Sequence, residues 1–159
     1  MKVGVLTVSD GVYHGARRDE SGDLIAAWVK ASGGSVADRR VVPDEADLIE
    51  RAIIYMTDEL DVDIVLTTGG TGLGPRDVTP EATRRVIQRE VPGIPEAMRW
   101  AAWQTTPRAM LSRAVAGVRA RSLIINLPGS PKAVQESLDV IGAQLPHAVA
   151  LLRERPVDH

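Results

Sequence analysis

Short apolar runs alternate with helical-period segments along the chain. Residues 3–8 (VGVLTV) form a β-branched run that stops at Ser9-Asp10, and the polar residues 11–20 read as a loop. Leu24, Ile25, Trp28 and Val29 then recur at helical spacing, with a stop at Gly33-Gly34. Residues 36–42 predict a second strand, closed by Pro43-Asp44. From Glu45 onward, Ile49, Ala52, Ile53 and Met56 fall at i, i+3, i+4 and i+7, one face of an amphipathic helix. Val62, Ile64, Val65 and Leu66 predict a third strand that runs straight into TTGGTG. Thr79-Pro80-Glu81 predicts a helix start over residues 82–89, with threonine as cap and proline where a missing N–H costs nothing. Pro92-Gly93 breaks that helix and residues 95–104 predict another. Residues 115–118 and 123–127 read as two more strands. Pro128-Gly129-Ser130-Pro131 then opens a last helix, with Val134, Leu138, Ile141 and Leu145 on its buried face and Pro146 kinking or restarting it.

Strands separated by helices predict an α/β fold with a mainly parallel sheet covered on both faces. Ligands bind outside the carboxyl ends of such strands. Ser9-Asp10, Pro43-Asp44, the TTGGTG loop and residues 128–130 all follow strand candidates, so parallel strands would bring the four segments to one edge. With 159 residues, the chain is expected to form one domain over 1–159, large enough to bury roughly 70% of its unfolded surface.

Composition narrows the choice of function. There is no cysteine, which removes disulfides and thiolate metal sites and fits a reducing cytoplasm. The first ten residues lack the apolar length and cleavage site of a signal peptide. No apolar run reaches the roughly 18 residues of a membrane span, so no membrane role is expected. A formal net charge of −2, no Phe, three Trp and two Tyr argue against a nucleic-acid surface. The tryptophans (Trp28, Trp100, Trp103) are expected to pack, and His14, His147 and His159 are too scattered for zinc.

The chemistry concentrates in residues 67–82, TTGGTGLGPRDVTPEA. Gly69, Gly70 and Gly72, with Thr71 between them, open backbone conformations closed to other residues and admit a ligand close to the main chain. Amides of such a loop, backed by a helix N-terminus, can receive an anion. Neither the Gly-Lys-Ser/Thr of a Walker A loop nor the dinucleotide G-x-G-x-x-G is present. Glycines alone fit a tight turn equally well; combined loop and cap chemistry favours the anion cradle. Asp44 and Asp77 lie just past strands. They fit two readings: turn and capping aspartates, or ligands of a magnesium ion between carboxylates and phosphate oxygens. Gly129 and Ser130 repeat the anion-receiving pattern, Ser130 being first of all a helix cap. Arg76 reads either as a phosphate partner or as a solvated arginine, and Ser112-Arg113 carries less information still.

LTTGGTGLGPRDVTPEAT (residues 66–83) resembles the molybdopterin adenylyltransferases, the MogA-like proteins and the gephyrin G domain. VSD at 8–10, PDE at 43–45, MLSR at 110–113 and IINLPGSPKAV at 124–134 fit the same family in the same order. The resemblance implies the three-layer α/β/α MogA-like fold, usually a homotrimer. It also implies a reaction: molybdopterin and Mg-ATP give adenylylated molybdopterin and pyrophosphate, ahead of metal insertion by a partner protein. On that resemblance Asp44 and Asp77 are the catalytic, Mg2+-organising residues. Ser9, Asp10, Gly69, Gly70, Thr71, Gly72, Gly129 and Ser130 are the substrate- and phosphate-binding positions. The rival reading is a non-catalytic molybdopterin carrier of the same fold, because related domains keep the glycine loop without adenylylation.

Overall fold

A computed structural model describes residues 1–158. Six strands form one sheet in the order β2-β1-β3-β6-β5-β4. They are β1 Lys2–Val8, β2 Ser35–Val42, β3 Ile64–Thr68, β4 Arg89–Glu90, β5 Ala116–Arg119 and β6 Ser122–Leu127. The first four in space, β2, β1, β3 and β6, run parallel. At one edge β5 runs antiparallel to β6, and β4 antiparallel to β5. Helices α2 (Glu20–Ala31), α5 (Gly93–Trp103), α6 (Pro131–Ile141) and α7 (Leu145–Leu152) cover one face; α3 (Ala46–Ile54) and α4 (Thr79–Val86) cover the other. The expected three-layer α/β/α arrangement is what forms.

Strand periodicity sorts the two cores. Val3, Val5, Ile64, Leu66, Leu123 and Ile125 pack beneath α2 and α6, while Leu6, Val8, Val65 and Ile124 face α3 and α4. Strands buried on both faces read as unbroken apolar runs, which is why these segments could be found without an alternating pattern.

Asn126 interrupts the apolar set on the second face. It is fully buried, its Nδ2 donates to Thr67 Oγ1 (3.1 Å) and Thr83 Oγ1 (2.9 Å), and its Oδ1 accepts from Val115 N (3.1 Å). One side chain thereby ties β6 to β3, to α4 and to the entry of β5.

Several boundaries differ from the sequence expectation. Residues 11–20 are not one loop: α1 (Asp10–Tyr13) forms one turn capped by Ser9, and α2 starts at Glu20 under an Asp19 cap. The helix expected over 82–89 ends at Val86, because Arg89 and Glu90 pair with Val118 and Gly117 instead. Thr79 does not cap; Val78 holds that position, and Thr79 is the buried first residue of α4. Of the tryptophans, Trp28 packs against the first core and lies beside Gly142, but Trp100 and Trp103 stand exposed on α5. Pro146 restarts the chain as α7, near that helix's first turn. Among the described residues no helix is long and apolar enough to cross a membrane.

Replacing Asn126 by leucine, similar in volume, strands the Val115 N–H and both threonine hydroxyls in the core. Each buried group left unpaired costs about 1–3 kcal/mol. The expected outcome is a loss of about 3 kcal/mol, seen as a fall of about 10 °C in thermal midpoint; a midpoint unchanged on calorimetry would show that the network contributes nothing.

Candidate active site

The strand order reverses beside β1: β2 lies on one side of it and β3 on the other. Parallel register carries Thr7 level with Thr68, and Thr68 level with Leu127. The chain therefore leaves β1, β3 and β6 at one height, and a crevice forms outside those carboxyl ends. It is a cleft of about 630 Å³ lined by, among others, Ser9, Asp44, Gly69, Gly70, Asp77 and Ser130. Four segments scattered over the sequence, each placed by its own strand, meet there as expected.

Two glycines make the meeting possible. Gly69 has φ +95°, and a Cβ on it would sit 2.2 Å from the Val8 carbonyl oxygen. Gly70 has φ +68°, and its Cβ would sit 2.2 Å from Thr79 Oγ1 and 3.2 Å from Asp44 Oδ1. Both positions combine a left-handed backbone with no room for a side chain. Thr79 fills the space by donating Oγ1–H to the Gly69 carbonyl (2.9 Å), and its N–H donates to the Gly70 carbonyl at 3.1 Å. On the other side Thr68 Oγ1 donates to Pro128 O (2.6 Å), and Ser21 Oγ donates to Gly129 O at 2.7 Å. Ser130 caps α6 by accepting from Ala133 N (3.2 Å) and stays exposed at the cleft. An amide-rich helix terminus is thus turned toward the same space as the glycine loop.

The acidic residues form a linked set. Asp10 N donates to Asp44 Oδ2 (2.9 Å) and Asp44 N donates to Asp10 Oδ1 (3.0 Å), a reciprocal pair that fixes both side chains. Arg76 closes on Asp10 with Nε and Nη2, each at 3.0 Å. Those hydrogen bonds, with the Asp44 amide, hold the Asp10 carboxyl below the usual carboxylate range. Asp44 moves the other way. Burial is the chief cause, and the charges of Asp10 and Asp77 add to it against the Asp10 N–H that favours the anion. Asp77 is held by a tight turn in which Gly74 N donates to its Oδ2 (2.9 Å) and its own N–H donates to Gly74 O (3.0 Å). Asp77 is therefore a turn aspartate, as one of its two readings had it, and its position at the cleft is compatible with the other.

The donor set suits a divalent cation shared with a ligand. Asp44 lies near two other carboxylates, and the bordering guanidinium of Arg76 is spent on Asp10. Among the described residues no group of three or more His, Cys, Asp or Glu side chains has metal-holding geometry. Two carboxylates with phosphate oxygens and water make up a magnesium shell.

Not every expected position lines the cleft. Asp10 stands behind Asp44. Thr71 is buried, and Gly72 is gripped from behind by Arg113, whose Nε donates to its carbonyl at 2.8 Å. Arg76 is exposed and pairs with Asp10, which is neither of the two readings its position suggested. Sequence reasoning missed the end of β1 and the entry to α2: Thr7, Arg17, Asp19 and Ser21 line the cleft, with Thr7 Oγ1 donating to the Asp19 carboxylate at 3.0 Å. The legible signal was the cap pattern Asp19 to Gly22, which starts a helix inside the stretch read as loop. Arg113 was passed over because its partners lie over 30 residues away.

Two substitutions probe this geometry. Gly69→Ala forces a Cβ onto Val8 O at positive φ and is expected to cost at least about 2 kcal/mol in chemical denaturation; a cost near zero would mean that the loop has room the structure denies. Asp44→Asn keeps an acceptor for the Asp10 N–H while removing a charge that the fold disfavours. Its thermal midpoint at neutral pH should match or exceed the wild-type value, and a fall beyond about 3 °C, roughly 1 kcal/mol, would contradict the electrostatic reading.

The relatives agree with the geometry. A family profile described as "Probable molybdopterin binding domain" matches residues 4–147. The chain is 44% identical over 164 residues to gephyrin of Dictyostelium discoideum, a match covering 97% of this chain and 23% of that protein. It is 43% identical to the molybdopterin adenylyltransferase of Helicobacter pylori strain J99, across 94% of this chain and 86% of that one. Among solved structures, the molybdopterin biosynthesis enzyme MoaB of Thermus thermophilus superposes with a TM-score of 0.92 at 47% identity, over 99% of both chains. With the profile spanning most of its length and the sheet, glycine loop and cleft in place, this chain belongs to the molybdopterin-binding domain family.

Proposed function

We propose that this chain is a molybdopterin adenylyltransferase, which joins molybdopterin to the AMP part of ATP and releases pyrophosphate. The observation that carries the reading is Asp44, fixed from behind by its reciprocal hydrogen bonds with Asp10, and Asp77 beside the glycine loop in one cleft at the parallel edge. A phosphate oxygen of molybdopterin forms the new bond to the α-phosphorus of ATP. The bond from that phosphorus to the bridging oxygen breaks, and its electron pair leaves with pyrophosphate. The attacking phosphate is already ionised at neutral pH, so no side chain has to take a proton. That agrees with a cleft whose lining holds neither histidine nor cysteine.

What the protein contributes is alignment and charge compensation. The 69–72 loop and the N-terminus of α6 offer donors to phosphate oxygens. Asp44 and Asp77 would hold Mg2+, which when bound offsets the charge of the triphosphate. Pterin and nucleotide both fit the scale of the cleft, which lies within the range of ordinary ligand sites. The product then passes to a molybdenum-inserting partner in the cytoplasm.

The working form is a homotrimer. Trp100, Trp103, Met110 and Leu111 are all exposed on α5 and the 3₁₀ turn Pro107–Leu111 that follows it, an apolar surface of the kind that other copies cover. Light scattering is expected to return three times the chain mass of 17.1 kDa, and a Trp100→Glu, Trp103→Glu double variant should lower it. A monomer in the wild type would remove this part of the reading.

Pyrophosphate release should require molybdopterin, ATP and magnesium together. Asp44→Asn and Asp77→Asn should each slow it by about 100-fold or more, in the range of other lost charge-stabilising groups, while the folded state persists. Wild-type protein that binds molybdopterin tightly and never releases pyrophosphate would establish the carrier reading instead.

A further inference from the structure

Arg113 lies in the segment between α5 and β5, yet all its polar contacts are with the glycine loop and the start of α4. Its backbone N–H donates to Thr71 O at 2.9 Å. Its Nε donates to Gly72 O at 2.8 Å and its Nη2 to Asp77 O at 2.7 Å. Its Nη1 donates to the carboxylate of Glu81, in the first turn of α4. One residue therefore holds both ends of the 72–77 excursion by carbonyl oxygens, with Glu81 fixing the fork that does it.

Planarity gives this grip a consequence on the other side of the chain. In a trans peptide the C=O and the N–H of one unit point in opposite directions. With the carbonyls of Thr71, Gly72 and Asp77 drawn toward Arg113, the N–H groups of Gly72, Leu73 and Val78 are turned away from it. Among the described residues none of these three amides donates a hydrogen bond, whereas the neighbouring Gly74, Asp77 and Thr79 amides all do. The Asp77 carboxylate, which lines the cleft, hangs from the same clamped segment.

We propose that Arg113 is a positioning residue. By gripping loop carbonyls from behind, it holds Asp77 in place at the cleft and fixes the course of the 72–77 segment from which that carboxylate hangs. The inference deepens the adenylyl-transfer reading and rests on it for its kinetic consequence, but the clamp itself can be measured without turnover. Lysine cannot replace it, because one ammonium group cannot donate along the directions that the guanidinium plane serves together.

The test joins hydrogen exchange to kinetics. In Arg113→Ala the protected amides of Gly74, Asp77 and Thr79 should exchange at least tenfold faster than in wild type, while amides of β1 and β6 keep their rates. Turnover per folded molecule should fall by about 100-fold, the scale of a small misplacement of reacting groups. Arg113→Lys should stay close to the alanine variant, and added guanidinium should restore part of the alanine variant's kcat without moving its thermal midpoint. A purely structural role would lower the folded fraction but leave kcat per folded molecule unchanged. Should Arg113→Ala fail to fold, Glu81→Gln loosens the fork while keeping the arginine, and it should speed the same amides with a smaller loss of kcat. Loop exchange unchanged in both variants, or Arg113→Ala turning over within twofold of wild type, overturns the proposal. Wild-type protein that releases no pyrophosphate would defeat the adenylyl-transfer reading, and the exchange comparison would still decide whether Arg113 clamps the loop.

Discussion

The cleft depends on how closely the chain passes the end of β1 at Gly69. A side chain there would overlap the Val8 carbonyl, so the loop after β3 can settle against β1 because residue 69 has none. That approach lets Thr79 bridge back to Gly69, leaves Asp44 Oδ1 so near Gly70 that a Cβ there would crowd it, and sets Gly129 where an added Cβ would touch Gly69. The parallel register supplies the common height, and the glycines convert common height into contact. Without either, the same residues would be three separate turns.

Placing several carboxylates at such a point works against stability. Burial and neighbouring negative charge make Asp44 harder to ionise, and the chain offers it a backbone N–H from Asp10 rather than a cation of its own. Three nearby arginines answer to other carboxylates, Arg76 to Asp10, Arg39 to Asp19 and Asp23, and Arg113 to Glu81, while Arg17 at the cleft donates to Ser9 Oγ at 3.1 Å. Tension of this sort, a group whose charged form the fold does not compensate, is what a site built for an incoming partner looks like. It also separates Asp44 from the buried polar network around Asn126, where each donor and acceptor is met inside the chain and the result is rigidity.

Much of this was legible in the sequence because its causes are local. Apolar runs marked the central strands, Ser130-Pro131 marked the start of α6, and the glycine cluster marked the loop. Recognition of the family motifs supplied the reaction, which no periodicity contains. What escaped has long-range causes. Arg89 and Glu90 follow a helical pattern yet pair with β5, because an edge strand of two residues is decided by its neighbour and not by its own propensity. Thr79 looked like a cap, but its hydroxyl serves a carbonyl 10 residues earlier. Asp19 hid in the polar stretch 11–20 and Ser21 just past it, where the helical start shows only once α2 packs against the β1 end. Arg113 was marked only as the last residue of the MLSR motif, and its role stayed hidden because its hydrogen-bond partners are far away in sequence.

The division of labour at the loop follows from these commitments. An anionic ligand can be held by cationic side chains, by a metal or by backbone amides. Here several of the nearby guanidinium groups are already paired with carboxylates, and a Walker-type lysine is absent from the loop. Apart from Arg17, which lines the cleft without a carboxylate partner, the burden then falls on amides and on the two aspartates proposed to hold a magnesium ion. Amides have one advantage over long cationic side chains: they are fixed by the fold, so little entropy is lost when the ligand arrives. Their weakness is that a loop of glycines is free to wander. A residue that binds the loop's carbonyls removes that freedom while leaving its donors unspent, and Arg113 occupies that position.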